Sequence, residues 1–83
     1  MLKIEAKTKL SPEEAIKRAV AFFGPGGRGL EVDQQGPLCV YFQGGGGEVR
    51  VTACSEGKQT SVELESKEWD IEVNEFISKR LGK

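Results

Sequence analysis

The chain has 83 residues, a length that predicts a single domain, residues 1–83, with a thin hydrophobic core. Its 12 basic and 13 acidic residues give a formal net charge of -1, which argues against a nucleic-acid-binding protein that relies on excess positive charge. Because it has two cysteines, no histidine and no long apolar segment, we expect a cytoplasmic protein without membrane contact, a disulfide framework or histidine-dependent catalysis.

The first predicted elements are a strand and a helix. Apolar and polar residues alternate over residues 2–9, as in a half-buried strand. Ser11 is then a predicted helix N-cap, with Pro12 in the first helical position and Glu14 able to complete a capping box. The helix is expected to end at Gly24. Its apolar face is predicted to comprise Ala15, Ile16, Ala19, Val20 and Phe23.

Two glycine-rich segments are predicted to be connections and not phosphate sites. GPGGRG, residues 24–29, follows the C-terminus of a helix, where the helix dipole repels anions. The four glycines at residues 44–47 join two strands, whereas a phosphate loop leads into the N-terminus of a helix. We expect positive φ angles in the first segment and a hairpin centred on Gly45 and Gly46 in the second. An Asn-Gly pair at those two central positions is expected to keep the fold and to leave the stability equal or higher by up to about 1 kcal/mol, because the unfolded chain loses conformational freedom.

Four short strands are predicted to follow the first loop, at about residues 29–34, 37–43, 48–55 and 59–65. Short connections join them, so they should form an antiparallel meander. Their apolar faces are predicted to comprise Leu30, Val32, Leu38, Val40, Phe42, Val49, Val51, Ala53, Val62 and Leu64.

The last predicted element is a helix that starts near Ser66. Acidic residues, among them Glu68, lie in its first turn and basic residues in its last, an order that complements the helix dipole. Gly82 suits the C-terminal cap position. Its apolar face, which assigns Trp69 to the core, is predicted to comprise Trp69, Val73, Phe76, Ile77 and Leu81.

The order β-α-β-β-β-β-α predicts an α+β fold, in which two helices cover one face of a five-stranded antiparallel sheet. The first helix would be about 18 Å long, close to the distance of about 19 Å between the outer strands of such a sheet. We therefore expect the strand order 1-5-4-3-2, with the first helix crossing from edge to edge. This order places Lys3 and Lys7 beside Glu63 and Glu65 on the polar face.

This order of elements resembles one repeat of the TATA-binding protein and a shortened form of the helix-grip, or START-like, proteins. The resemblance covers nearly the whole chain and concerns topology only, since no sequence motif of either family is present. It implies two different functions, because one family binds DNA on its sheet and the other holds hydrophobic ligands between the sheet and the C-terminal helix.

Candidate interaction residues come from the predicted polar face of the sheet. Tyr41 alternates out of the apolar set and has Arg50 as a predicted neighbour, which indicates a contact surface. With the hairpin centred on Gly45 and Gly46, Cys39 faces Thr52 and has Cys54 as its diagonal neighbour. The two cysteines are predicted to be small, half-buried thiols. The candidate face comprises Cys39, Tyr41, Arg50, Thr52 and Cys54.

We expect a small non-enzymatic interaction module that forms a homodimer or binds another protein through this open face. No catalytic, metal-binding or cofactor-binding residue is assigned, and no cofactor is expected. Hydrophobic-ligand binding between the sheet and the C-terminal helix is the first alternative, and nucleic-acid binding on the sheet is the second. The second is disfavoured because the polar face should mix both signs of charge. Its expected charged residues are Glu31, Asp33, Glu63, Glu65, Lys3, Lys7 and Arg50.

Overall fold

The computed structural model describes residues 2–81. Helix α1 spans Pro12–Phe23, and α2 spans Asp70–Phe76 and continues as a π-helical segment, Ile77–Leu81. The predicted order of elements is confirmed, while the cap position assigned to Gly82 lies outside the described residues. The five strands are β1 (Leu2–Thr8), β2 (Glu31–Gln35), β3 (Cys39–Gly44), β4 (Gly47–Glu56) and β5 (Gln59–Lys67).

The strands form one antiparallel sheet in the order β1-β5-β4-β3-β2, as predicted. Because β1 pairs with β5, the 12 residues of α1 carry the chain from one edge of the sheet to the other. Ser11 caps this helix as predicted, since its hydroxyl accepts the N–H of Glu14 at 3.2 Å. Lys3 lies opposite Glu65, with 3.6 Å between Nζ and Oε2.

The core is built around a cluster of phenylalanine rings between the helices and the sheet. The ring of Phe23 on α1 lies 5.5 Å from that of Phe42 on β3 and 5.3 Å from that of Phe76 on α2, measured between centroids. Phe22 was not assigned to the core from the sequence, but it is buried because α2 packs against it, 5.5 Å from Phe76. Val20, which was assigned to the core, is only half-buried.

One prediction at the β2 edge of the sheet is wrong, and the strand has an irregularity. Leu38 was expected on the apolar face, but it precedes β3, lies outside the core cluster and is 41% exposed. In β2 the register shifts at a bulge between Val32 and Gln34, so Gln34 takes the position opposite Tyr41 that simple alternation gives to Asp33.

The C-terminal helix begins later than the sequence suggested. Strand β5 continues to Lys67, and Glu68 lies outside the helix with a φ of 72°. Ser66 links strand and helix, because its hydroxyl accepts the Trp69 N–H at 3.1 Å and donates to Asp70 Oδ1 at 3.0 Å. Trp69 is consequently the residue before α2 and is half-buried, whereas the predicted helical face had assigned it to the core.

Trp69 packs on the four-glycine hairpin, whose predicted centre is confirmed. Gly44 pairs with Gly47, and the central residues Gly45 and Gly46 have φ angles of 58° and 79°. The indole Nε1 of Trp69 donates to the Gly44 carbonyl at 2.9 Å. A Cβ atom on Gly45 would lie 2.7 Å from Trp69 Cζ2, whereas one on Gly46 would meet no atom within 4 Å. The positive φ angles favour glycine or asparagine at both central positions, and at position 45 the indole ring leaves space only for glycine.

This geometry changes the expected effect of asparagine in the turn. Asparagine tolerates a positive φ, so Gly46→Asn should change the free energy of unfolding by no more than about 0.5 kcal/mol. Gly45→Asn should lower it by about 1–3 kcal/mol, because the new side chain must displace the anchored indole. Chemical denaturation of both variants, followed by circular dichroism, measures the two effects. Equal effects at the two positions would contradict the proposed contact with Trp69.

The first glycine-rich segment is attached to α2 through Arg28. The Arg28 guanidinium lies 4.5 Å from the centroid of the Phe22 ring and forms an ion pair with Glu75. Lys79 also contacts Glu75, with 3.3 Å between Nζ and Oε2. The hydrogen bond from Arg28 and, to a smaller extent, the one from Lys79 lower the pKa of Glu75 from its ordinary value of 4.5. Gly29 has the predicted positive φ, at 85°.

The lowered pKa of Glu75 predicts a pH-dependent contribution to stability. The ionised carboxylate stabilises the fold fully above the unfolded pKa of 4.5, and this stabilisation is lost as the pH falls through the lower folded pKa. Glu75→Gln should therefore lower the free energy of unfolding at about pH 7, and the difference from wild type should shrink towards about pH 3. Urea denaturation across this range measures it, with Glu31→Gln on β2 as the control. A constant difference between wild type and Glu75→Gln would contradict this role.

Candidate interaction face

The face of the sheet opposite the helices, called the outer face, carries side chains in rows that run across the strands. Such rows arise because the antiparallel register sets one residue of each strand directly beside its neighbours. The row in the middle crosses all five strands and is called the central row. In order from β1 to β2, the central row comprises Lys3, Glu65, Arg50, Tyr41 and Gln34.

Charges alternate along the central row. Glu65 lies between two cations, with Oε2 3.6 Å from Lys3 Nζ and Oε1 3.9 Å from Arg50 Nη1. The Arg50 guanidinium in turn lies 5.2 Å from the centroid of the Tyr41 ring. The Arg50 and Glu65 side chains are 58% and 37% exposed, so each contact adds little to stability. What the contacts do is hold the guanidinium and the phenol ring in defined positions.

The row next to the central row, on the side away from the four-glycine turn, is acidic. Glu5 and Glu63 lie directly opposite each other on β1 and β5, beside Thr52 and Cys39. The Ser61 hydroxyl donates a hydrogen bond to Glu5, and Lys7 Nζ lies 3.7 Å from Glu5 Oε2. The hydrogen bond from Ser61 and, to a smaller extent, the charge of Lys7 lower the pKa of Glu5. Glu5 is therefore ionised at neutral pH, and an acidic row lies beside the central row on the outer face.

Lys7 lies diagonally across from Glu63 and forms its ion pairs with other carboxylates. It lies opposite Ser61, and its ammonium contacts Glu56 and Glu5. The hydrogen bond to Glu56 is the largest cause of the raised pKa of Lys7. The amine therefore stays protonated and its charge is matched within the chain.

A groove opens beside Tyr41 on the outer face. Its volume is about 280 Å³, and it contains four of the five candidate residues. Cys54 lies outside it, one row further along β4 and opposite Ser61. Tyr41 is half-buried, and its hydroxyl accepts a hydrogen bond from Gln43 Nε2 at 3.3 Å. The lining residues are Gln34, Cys39, Val40, Tyr41, Arg50 and Thr52.

Sequence reasoning did not assign Gln34 and Glu65 to the site. Gln34 joins Tyr41 only because of the β2 bulge, for which the sequence EVDQQ gives no clear signal. Glu65 could have been found from the register of the β4–β5 hairpin, in which Glu56 pairs with Gln59 and Arg50 therefore with Glu65. The site is thus a cross-strand feature that no local motif reveals.

Both cysteines are exposed, which corrects the prediction of half-buried thiols. No element among residues 2–81 covers the outer face, so alternation alone decides their exposure. Cys39 pairs with Thr52, and Cys54 is therefore its diagonal neighbour as predicted. Diagonal Cα atoms lie about 7–8 Å apart, too far for a disulfide unless the backbone moves.

Other kinds of site find little support in the described part of the chain. Within residues 2–81, no group of three or more cysteine, aspartate or glutamate side chains is placed to hold a metal ion. None of the helices described is both long and apolar enough to cross a bilayer. Between sheet and helices, the rings of Phe23, Phe42 and Phe76 are fully buried, in the region where a helix-grip protein would hold a ligand. The Phe23 ring contacts the other two.

Comparison with known proteins gives no family or function: no family model, curated protein or solved structure matches this chain. The resemblance to the TATA-binding protein and helix-grip topologies therefore stays a prediction about the order of elements. Of the features described, the outer face is the one that bears on function.

The exposure of the cysteines predicts how they react. Both thiols of the folded chain should react with a chromogenic disulfide reagent without denaturant, giving about two equivalents per chain. Cys39→Ser and Cys54→Ser should each remove one equivalent, and mild oxidation should give cross-linked chains without an intrachain bridge. Mass spectrometry of the non-reduced products measures this. An intrachain Cys39–Cys54 disulfide formed without loss of the fold would contradict the register between β3 and β4.

Proposed function

We propose that this chain is a small, non-enzymatic cytoplasmic interaction module that binds a protein through the outer face of its sheet. One observation carries the proposal: the central row and its groove lie open across five strands, while both helices pack on the opposite face. Two exposed free cysteines fit the reducing conditions of the cytoplasm.

The chemistry of the central row favours a protein partner. Tyrosine and arginine are enriched at protein interfaces and dominate their binding energy. Here Arg50 stacks on Tyr41 and Gln43 hydrogen-bonds the phenol, so the ring is positioned before a partner arrives. A positioned aromatic side chain loses less conformational entropy on binding, which favours association.

The alternative functions are supported less well. Hydrophobic-ligand binding requires a cavity between the sheet and α2, where Phe76 and Val73 are fully buried against the core. Nucleic-acid binding requires a surface that follows phosphates, and Glu5, Glu63 and Glu65 would oppose them. Acid–base catalysis is disfavoured because the lowered pKa of Glu5 makes it a poor proton donor or acceptor near neutral pH.

Site-specific photo-cross-linking in the native host tests the proposal. A benzophenone amino acid at Thr52 lies on the outer face, whereas one at Lys17 lies on the exposed side of α1 and serves as the matched control. We expect covalent adducts between the chain and a protein from position 52 and none from position 17. Adducts from both positions alike, or from neither, would overturn the proposal.

A further inference from the structure

The charges of the two longest strands make the outer face complementary to itself. Residues of opposite sign pair at two levels between β4 and β5, Arg50 with Glu65 and Glu48 with Lys67. The tyrosine on β3 and the lysine on β1 flank the first pair in the central row. A two-fold axis that runs along the strands between β4 and β5 therefore brings each charge of these two pairs onto its opposite.

We infer that the protein bound by the outer face is a second copy of this chain, packed face to face about a two-fold axis that runs along the strands between β4 and β5. The inference rests on the proposed function, because it uses the same face. The axis places Arg50 over Glu65 of the second copy, and the reverse contact follows by symmetry. Glu48 likewise lies over Lys67 of the second copy, and Tyr41 over its Lys3, a pairing that suits a cation–π contact.

Other two-fold axes fit less well. An axis along the central row, or along β4, would place Arg50 over Arg50 of the second copy. An axis across the strands between the central row and the acidic row would place Glu65 over Glu63 of the second copy. An axis on the other side of the central row is also complementary in charge, but it lies near the four-glycine turn and overlaps only one end of the two sheets.

The area of overlap supports the first axis and predicts a weak dimer. Exchanging β4 with β5 superimposes four of the five strands, because β1 then lies over β3 of the second copy. With strands about 4.8 Å apart and about 25 Å long, each copy contributes about 500 Å², or about 1,000 Å² in total. That total is near the lower limit for a specific interface of about 1,000–1,200 Å². The axis near the four-glycine turn would bury only about half of this area, which is in the range of crystal contacts.

A mixing experiment with charge-reversed variants tests the inference. Analytical ultracentrifugation of the wild type up to several hundred micromolar should show the mass rising from 9.1 kDa towards twice that value. Arg50→Glu puts two like-charged contacts into the dimer, and so does Glu65→Arg, so each variant alone should dimerise at least about tenfold more weakly. An equimolar mixture should recover dimers to within about threefold of the wild type, since both contacts are then of opposite charge.

The mixture separates contacts between copies from contacts within a chain. In each variant, residues 50 and 65 of the same chain carry like charges, both alone and in the mixture. Recovery on mixing can therefore come only from contacts with the second copy. Lys17→Glu carries the same charge change on α1 and should dimerise as the wild type does. With Glu65→Arg it forms one opposite-charge and one like-charge contact, so that heterodimer should be weaker than the one between Arg50→Glu and Glu65→Arg. Circular dichroism checks the fold of each variant. Glu48→Lys and Lys67→Glu form a second pair for the same test, should a variant of the first pair fail to fold.

Two results would overturn the inference. One is a wild-type mass of a single chain at every concentration, and the other is a wild-type dimer that the mixture does not restore. Either result leaves the proposed function standing if the benzophenone at Thr52 still captures a different protein. Loss of both the dimer and the cross-links would overturn the two proposals together.

Discussion

The pairing of β1 with β5 determines the rest of the structure. It places the first and second strands at opposite edges, so α1 must cross from one edge of the sheet to the other and does so on the apolar face. Both helices then share that face, where Phe23 contacts Phe42 of the sheet and Phe76 of α2. No further element among residues 2–81 covers the other face. The open outer face of this part of the chain is thus a consequence of strand order.

The two faces are stabilised in different ways. The core face gains from burial, since the core residues of β4 and β5 are almost fully buried and the phenylalanine rings fill the space above them. The outer face gains little from its exposed ion pairs. What its charges provide is specificity of register, because a shift of β4 against β5 by two residues would bring Arg50 opposite Lys67 or Glu48 opposite Glu65.

Strand order and most of the register could be predicted from the sequence. Short connections gave the meander of β2 to β5, and the length of α1 placed β1 at the opposite edge from β2. Alternation and the glycine-containing turns gave most of the register. The position of the turn at Gly45 and Gly46 was enough to predict that Cys39 faces Thr52. The β2 bulge could not be predicted, because a bulge depends on how an edge strand fits its neighbour. The same holds for the end of β5, where Ser66 and Glu68 have helix-compatible residue types and adopt a strand and a turn instead.

Trp69 shows why such ends matter for a small fold. Its side chain was expected to continue the apolar face of α2, but the extension of β5 shifts it to the four-glycine turn. There its indole N–H satisfies the Gly44 carbonyl, and its ring leaves no space for a side chain at Gly45. The glycines of this turn are therefore partly a packing requirement, set by a residue 24 positions later in the chain. A loop that resembles a ligand site in sequence is explained here by contact with the chain itself.

On the outer face, too, the contacts within the chain come first. Arg50 already has a carboxylate within its own chain, so a second copy would add a further carboxylate beside it and would not rescue an unpaired charge. Paired surface charges lose less solvation on association than bare ones, and they also attract less strongly. Their contribution is therefore to orientation more than to affinity, while the half-buried Tyr41 and its groove supply the apolar contact. A face built in this way favours reversible association over a permanent assembly, because no large apolar surface is left that would require a cover.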